Sequence, residues 1–358
     1  MQKESGNVTL RQIAEKANTS MGTVDRAING RTGISEKRRR EILAIAEELG
    51  YRPNRFASAL RKQQKIHIGI SYPTIMHDFY KNVDAGVDEV ALAMGGYGVT
   101  VEKIRYEIQD PDLVYQHLSN IDVSRFDGLV INSAGSRTDA LIDQFIAKGV
   151  PVITFNNDAP ETKRLFYVGS NPREAGMMGG ELMSMLLGGR GNVTVLGNFS
   201  RATPFVDRFS GFCEYLLPAF PDIHMYPCSE GNKYSEIASQ SLIELLTRIP
   251  DINGVFCTGH TATIGAINAL KEMNRKDIIL IGFDVSDQTI SALEENWCNA
   301  LLFQDPYKQG YMAIQLLAQH LLDGWMPDRQ RLYIENRVVL HSNMRSYQEP
   351  SMFTKIFL

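Results

Sequence analysis

Apolar residues recur at helical spacing at the start of the chain and in short runs after it. Leu10, Ile13, Ala14 and Ala17 share one helical face. Thr9, followed three residues on by Gln12, predicts a capping box at the start of that helix. Asn18-Thr19-Ser20 breaks the pattern, and asparagine tolerates the left-handed backbone of a tight turn. Ser20 then predicts the cap of a second helix, Met21 to Asn29, with Val24, Ala27 and Ile28 inward and Gly30 ending it. Ser35 predicts a third helix through about Leu49, with Ile42, Leu43, Ala46 and Leu49 inward and Gly50 as its stop. Two short helices, a three-residue turn and a bracing helix describe a helix-turn-helix unit, although helix lengths alone also fit any small helical bundle.

From Ile66 the texture changes. Short apolar runs alternate with amphipathic helical stretches: Ile66–Ser71, Val99–Ile104, Gly128–Asn132, Val152–Asn156, Phe166–Gly169, Val193–Leu196, Val255–Cys257, Ile278–Phe283 and Ala300–Phe303. This alternation predicts an α/β body of parallel βαβ units, doubly wound, with too many strands for one sheet and hence two similar lobes. Polar residues collect just past the runs: Ser71-Tyr72, Asn132-Ser133, Asn156-Asn157-Asp158, Thr258-Gly259-His260, Asp284 and Gln304-Asp305. Ligands bind outside the carboxyl ends of such strands. A single strand-end Asn or Asp is usually a helix cap, but six such clusters facing one cleft make a hydrogen-bonding site suited to hydroxyls.

Charge sharpens the division. Residues 1–65 hold 14 Lys+Arg against 7 Asp+Glu, and the remainder holds 23 basic against 34 acidic residues. A basic head on an acidic body is expected when only the head meets phosphate. Cys213, Cys228, Cys257 and Cys298 form no metal-binding spacing, and free thiols imply a reducing cytoplasm. The polar N-terminus has no apolar core of a secretory signal. No apolar run approaches the ~18–20 residues that span a bilayer.

The head resembles that of the LacI/GalR repressors along its length. It carries T-L-x-x-I-A-x-x-A, S-x-x-T-V-x-R-x-I-N, I-S-x-x-x-R-x-x-I and L-G-Y-x-P-N between Thr9 and Asn54. The resemblance implies a recognition helix from Met21 to Asn29 in the major groove, with Met21, Gly22 and Arg26 facing bases. Arg26 can fork onto guanine O6 and N7. Ser20, Thr23, Asn29 and Ser35 would contact phosphates. Pro53 to Arg61 matches the family's hinge helix, implying DNA contacts from Asn54, Ala57 and Leu60, with Leu60 as a minor-groove wedge. Gly22, without a side chain, and the acidic Asp25 depart from many relatives.

The body is similar to the periplasmic sugar-binding fold, closest to its ribose-binding type, from about Ile66 to Arg345. It shares P-V-I-T-F-N-N, Y-V-G-S-N-x-x-x-A-G, R-F-S-G-F, I-G-F-D and Q-D-P-Y-x-x-G. The resemblance implies that Phe79 and Tyr80 stack on a sugar ring, and that Asn156, Asn157, Arg208, Asp284 and Gln304 bond its hydroxyls. Phe199 and Tyr234 are candidates for the opposite wall. Arg208 and Asp284 could also form an ordinary lobe-to-lobe ion pair. Gly259-His260 stands where relatives often have Asn-Asp, so His260 is either a cap or a ligand contact.

The division expected is a head over 1–53, a hinge and linker over 54–65, a body over 66–345 and a tail over 346–358. Within the body, an N-lobe takes about 66–169 plus 304–328 and a C-lobe about 170–303 plus 329–345. Relatives dimerise through the body, and the stretch holding Ala85, Val87, Val90 and Leu92 is expected on that face. The apolar tail is expected to dock on its own body.

Other functions fit the residues less well. For an enzyme, Gly188-Gly189-Arg190-Gly191-Asn192 lacks the Lys-Ser/Thr of a P-loop, and no G-x-S-x-G or H-E-x-x-H appears. For a transport protein, the attached head does not fit. An architectural DNA-binding protein with a vestigial body, or a regulator of a non-sugar metabolite, remains the alternative. The reading is a cytoplasmic, homodimeric repressor of carbohydrate use. It binds a palindromic double-stranded operator and a monosaccharide or polyol, with no catalytic residues, metal, cofactor or membrane contact.

Overall fold

The computed structural model describes residues 8–28, 32–49, 65–74, 77–107, 110–197, 203–227, 229–230 and 234–347. The chain divides into two compact units, Met1–Gln63 and Gln64–Leu358.

The first unit holds α1 (Leu10–Lys16), α2 (Met21–Ile28) and α3 (Glu36–Glu48). The Thr9–Gln12 capping box forms in both directions. Asn18 is left-handed, with φ 46°, and ends α1 within the turn. Ser20 Oγ accepts from the Thr23 amide at 3.2 Å, and Ser35 Oγ from the Arg38 amide at 3.3 Å. Ile13, Ala14, Ala17, Val24, Ala27, Ile42 and Ala46 form the core. Leu43, expected inward, is 42% exposed, and Ile45 packs on the core instead. Successive helical residues turn by ~100°, so Ile45, three after Ile42, shares its face, whereas Leu43 is swung away. Arg38 Nη2 donates to the Ala17 carbonyl at 2.6 Å, tying α3 to the end of α1.

All nine apolar runs of the body are strands. The first lobe contains β1 (Ile66–Pro73), α4 (His77–Gly95), β2 (Val99–Tyr106), α5 (Pro111–Ser119), β3 (Gly128–Ile131), α6 (Ser136–Ala147), β4 (Val152–Phe155) and β5 (Tyr167–Ser170). The chain then crosses to the second lobe: α7 (Pro172–Leu187), β6 (Gly191–Gly197), α8 (Thr203–Ala219), β7 (Ile223–Met225), β8 (Ser229–Glu230), α9 (Ser235–Arg248) and β9 (Gly254–Cys257). There follow α10 (His260–Glu272), β10 (Ile279–Phe283), α11 (Asp287–Glu294) and β11 (Ala300–Phe303). It returns through α12 (Pro306–Asp323) and β12 (Arg331–Ile334), and crosses again into β13 (Arg337–Val339).

The first sheet runs β12-β5-β4-β3-β1-β2, and the second β13-β11-β10-β9-β6-β7, with β8 beside β6. Among the described strands only β13 pairs antiparallel, against β11. Alternate residues feed opposite faces of the second sheet, as the two-residue repeat of a strand requires. Val255 and Cys257 join the core with α9, α10 and α11, and Phe256 joins the core with α7 and α8.

One expected boundary is corrected. Residues 329–345 do not all belong to the second lobe, because Arg331–Ile334 pairs parallel with Tyr167–Ser170 in the first sheet. This edge strand has one buried residue in four, too little apolar signal to place it from sequence. Of the stretch expected on a dimer face, Val87 and Val90 are core residues, while Ala85 and Leu92 are exposed. The tail beyond Tyr347 lies outside the described residues. Tyr347 itself packs edge-on to Phe303, with ring centroids 5.1 Å apart.

Candidate functional site

In the head, α2 turns Val24 and Ala27 inward, and the same geometry puts Met21, Gly22 and Arg26 outside. Met21 is 56% exposed, too much for a core methionine. Ser20 and Thr23 hydroxyls lie 2.9 Å apart at the helix start. Ser35 caps α3 by accepting, so its own proton remains to donate. Asn29, Asn54, Ala57 and Leu60 lie outside the described residues.

In the body, three strand ends carry a non-glycine residue in the left-handed region. These are Asn156 (φ 59°) after β4, Asp284 (φ 65°) after β10 and Asp305 (φ 51°) after β11. Such turns are tolerated best by Asn and Asp.

A continuous hydrogen-bonded chain joins the lobes. Asn157 Nδ2 donates to Asn132 Oδ1 at 3.1 Å. Asn132 Nδ2 donates to the Tyr80 hydroxyl and to Asn156 Oδ1, both at 3.1 Å. Asn156 Nδ2 reaches Gln309 Oε1 at 3.2 Å, and Gln309 Nε2 donates to the Gln304 carbonyl at 2.8 Å. Gln304 Oε1 accepts from Ser170 Oγ at 3.1 Å and from Arg208 Nη2 at 2.9 Å. Gln304 Nε2 donates to Asp284 Oδ1 at 2.9 Å.

Ser170 and Gln304 sit at two of the crossings between lobes. At the third, Asn336 Nδ2 donates to the Asn171 carbonyl at 3.0 Å. The three connecting segments are thus bonded to one another beside the site.

Arg208 and Asp284 are both nearly fully buried, and both stand on the second lobe. They are therefore not a lobe-to-lobe pair. Among the described residues no ion pair joins them directly, and Gln304 bonds each. The guanidinium carbon of Arg208 lies 4.1 Å over the Phe283 ring and 5.8 Å over Phe205. Burial pulls Arg208 below its ordinary value, opposed by the charge of Asp284. Burial pushes the Asp284 carboxyl up, opposed by Arg208 and His260.

The α7–α8 contact fixes where Arg208 stands. A Cβ at Gly176 would lie 2.0 Å from the Arg208 carbonyl oxygen, and one at Gly211 would lie 2.0 Å from that of Arg173. Only residues without a side chain allow this approach.

Of the residues expected to bind ligand, Tyr80, Asn156, Asn157, Arg208, Asp284 and Gln304 are thus brought into one chain. Phe79 and Tyr80 are both nearly buried; Tyr80 stacks on Tyr72 at 5.6 Å, and Phe79 meets Tyr80 edge-on. Tyr234 is not brought in: it is 60% exposed at the start of α9. Phe199 lies outside the described residues. Asn132, Ser170, Gln309, Thr258 and Phe205 join the site without being singled out by the sequence resemblance. Asn132 and Thr258 carried the strand-end signal, but Gln309 sits within α12 with no sequence mark of its own.

Residues 9–54 match the family described as bacterial regulatory proteins, lacI family, and residues 68–324 match the periplasmic binding protein domain. The probable HTH-type transcriptional repressor ExuR of Bacillus subtilis is 27% identical over 285 residues, 77% of this chain and 81% of that protein. Catabolite control protein A of Priestia megaterium is 23% identical over 88% of this chain and 93% of its own length. Among solved structures, GanP, a glucose-galactose binding protein from Geobacillus stearothermophilus, shares the fold with a TM-score of 0.73 at 22% identity. It covers 78% of this chain and 99% of its own. The chain belongs to the lacI family of bacterial regulatory proteins, with a periplasmic binding protein domain as its body.

Proposed function

We propose that this regulator is a repressor of a carbohydrate-utilisation operon. It binds a near-palindromic operator as a dimer and takes a sugar-like effector between its lobes. The observation that carries this reading is the hydrogen-bonded chain from Asn157 to Asp284, in which amides predominate and one buried cation and one buried anion are held apart by Gln304. Such a set offers both donors and acceptors, and a hydroxyl is both. Relatives support it by name, among them the maltose regulon regulatory protein MalI of Escherichia coli and the sucrose operon repressor of Streptococcus mutans. A solute binding protein from Burkholderia graminis with the same fold was solved in complex with D-arabinose.

In this reading α2 lies in the major groove, with Arg26 reading a base and Ser20, Thr23 and Ser35 on phosphates. Asn29, Asn54, Ala57 and Leu60 are carried over from the sequence resemblance alone. Effector can shift DNA affinity only by its differential affinity for two body conformations. The bonded crossings at Ser170, Gln304 and Asn336 are where such conformations would differ.

The test is a thermal-shift and calorimetry panel over sugars and polyols, with nucleobases and amino acids alongside, followed by operator binding with and without any hit. A ligand that binds only the folded state raises its melting temperature. Hits confined to nucleobases or amino acids would sink the sugar assignment. A sugar that binds without changing operator affinity would sink the regulatory one.

A further inference from the structure

The first turn of α10 points to the chemical class of the effector. Gly259 precedes this 13-residue helix and offers no side chain to cap it. An α-helix begins with unpaired N–H groups and a partial positive charge. Arg208, 5% exposed, donates through Nη1 to the carbonyl of Thr258 at 2.7 Å, immediately before that start. Its Nε is buried and has no partner among the described residues. The fully buried Thr258 leaves its Oγ1 without a partner, and His260, first residue of the helix, leaves Nδ1 so. Polar atoms left bare in the interior are costly. Two at one helix start, with Arg208 Nε on the side chain that bonds the Thr258 carbonyl, call for a group that the described residues do not supply.

The kind of group follows from the inventory. Arg208 Nε and the amides of the turn only donate; imidazole Nδ1 donates in one tautomer or when protonated, and the threonine hydroxyl does either. A carboxylate has about four lone-pair sites and no proton, so it can accept from all of them. A hydroxyl brings a proton of its own, for which this corner has fewer acceptors. The aromatic rings under and beside Arg208 hold its plane fixed. The opposing group is Asp284, whose ionised form burial disfavours and whose charge Arg208 and His260 both offset.

We propose that the effector is a sugar acid, its carboxylate held at the start of α10 between Arg208 and His260. This rests on the reading of the cleft as the effector site.

The experiment measures binding to the full chain by calorimetry, using matched pairs: galacturonate with galactose, glucuronate with glucose, gluconate with glucitol. At least one acid should bind about tenfold or more tighter than its neutral partner, the scale of a charge-assisted contact. His260→Asn should remove most of that preference, while the free protein still binds operator. Neutral sugars binding as well as the acids would overturn the proposal and leave the sugar-effector reading standing. An acid preference undiminished in His260→Asn would overturn the assigned position. No binding of either class to a chain that melts cooperatively would overturn both readings.

Discussion

Gln304 donates to Asp284 through Nε2 at 2.9 Å while its other amide atom accepts from Arg208, so one neutral side chain fixes a buried acid and a buried base at once. The amide orientation is set by this pairing, since only the nitrogen can donate to a carboxylate and only the oxygen can accept from a guanidinium. Gln304→Leu keeps the bulk and removes both bonds, together with the one that Oε1 accepts from Ser170. Buried polar groups left unpaired cost ~1–3 kcal/mol. Denaturant unfolding should show a loss of that size, and calorimetry a tenfold or greater loss of effector affinity, the energy of about one charged hydrogen bond. Unchanged values in both measurements would mean that Gln304 is not the link.

Asp284 gives a pH signature. Burial raises its carboxyl above the ordinary range despite Arg208 and His260, so the folded chain holds that proton more tightly than the unfolded one. Stability is therefore lost as pH rises from the ordinary carboxylate range through the raised value, and the loss is complete above it. Asp284→Asn removes the loss and keeps an oxygen to accept from Gln304. The variant should melt higher than the parent at neutral pH, with the gap closing in acid, and should bind effector more weakly. A gap that is absent, reversed or independent of pH would contradict this account.

Gly176→Ala tests the helix crossing that seats Arg208. Its Cβ would meet the Arg208 carbonyl oxygen at 2.0 Å, so α8 must shift. Overpacking of this kind costs ~1–3 kcal/mol. Gly95→Ala, where a Cβ meets nothing within 4 Å, is the control and should be neutral or stabilising. Effector affinity should fall only in the first variant. Equal behaviour of the two in melting and binding would show that α8 has slack.

Arg26→Ala tests the outward face of α2. The side chain is exposed and outside the head core, so the melting temperature should hold. Operator affinity should fall by about 1–3 kcal/mol at fixed salt, with selectivity relaxed at one base position in each half-site. A uniform loss across all sequences would make Arg26 a phosphate contact instead.

The caps at Thr9, Ser20 and Ser35, the left-handed Asn18 and the nine main strands were legible in the sequence. Each depends on residues within one or two turns of each other, or on a run apolar enough to be buried on both faces. The strand-end clusters were legible for the same reason, since a strand's carboxyl end is a local landmark. Tertiary structure decided the rest. Asn156 meets Gln309 across 153 positions, and Ser170 meets Gln304 across 134, separations over which no local pattern carries information. Arg331–Ile334 is a strand because β5 offers a free edge, not because its own residues demand one. Opposite charge alone allows Arg208 to pair with Asp284; the seat of Arg208 over the Phe283 ring and the return of the chain at Gln304 set an amide between them. The sequence determines which groups lie at the strand ends, because backbone pattern and burial are local. Which of them share a hydrogen bond depends on where three crossings bring two lobes together, and that is a property of the whole packed body.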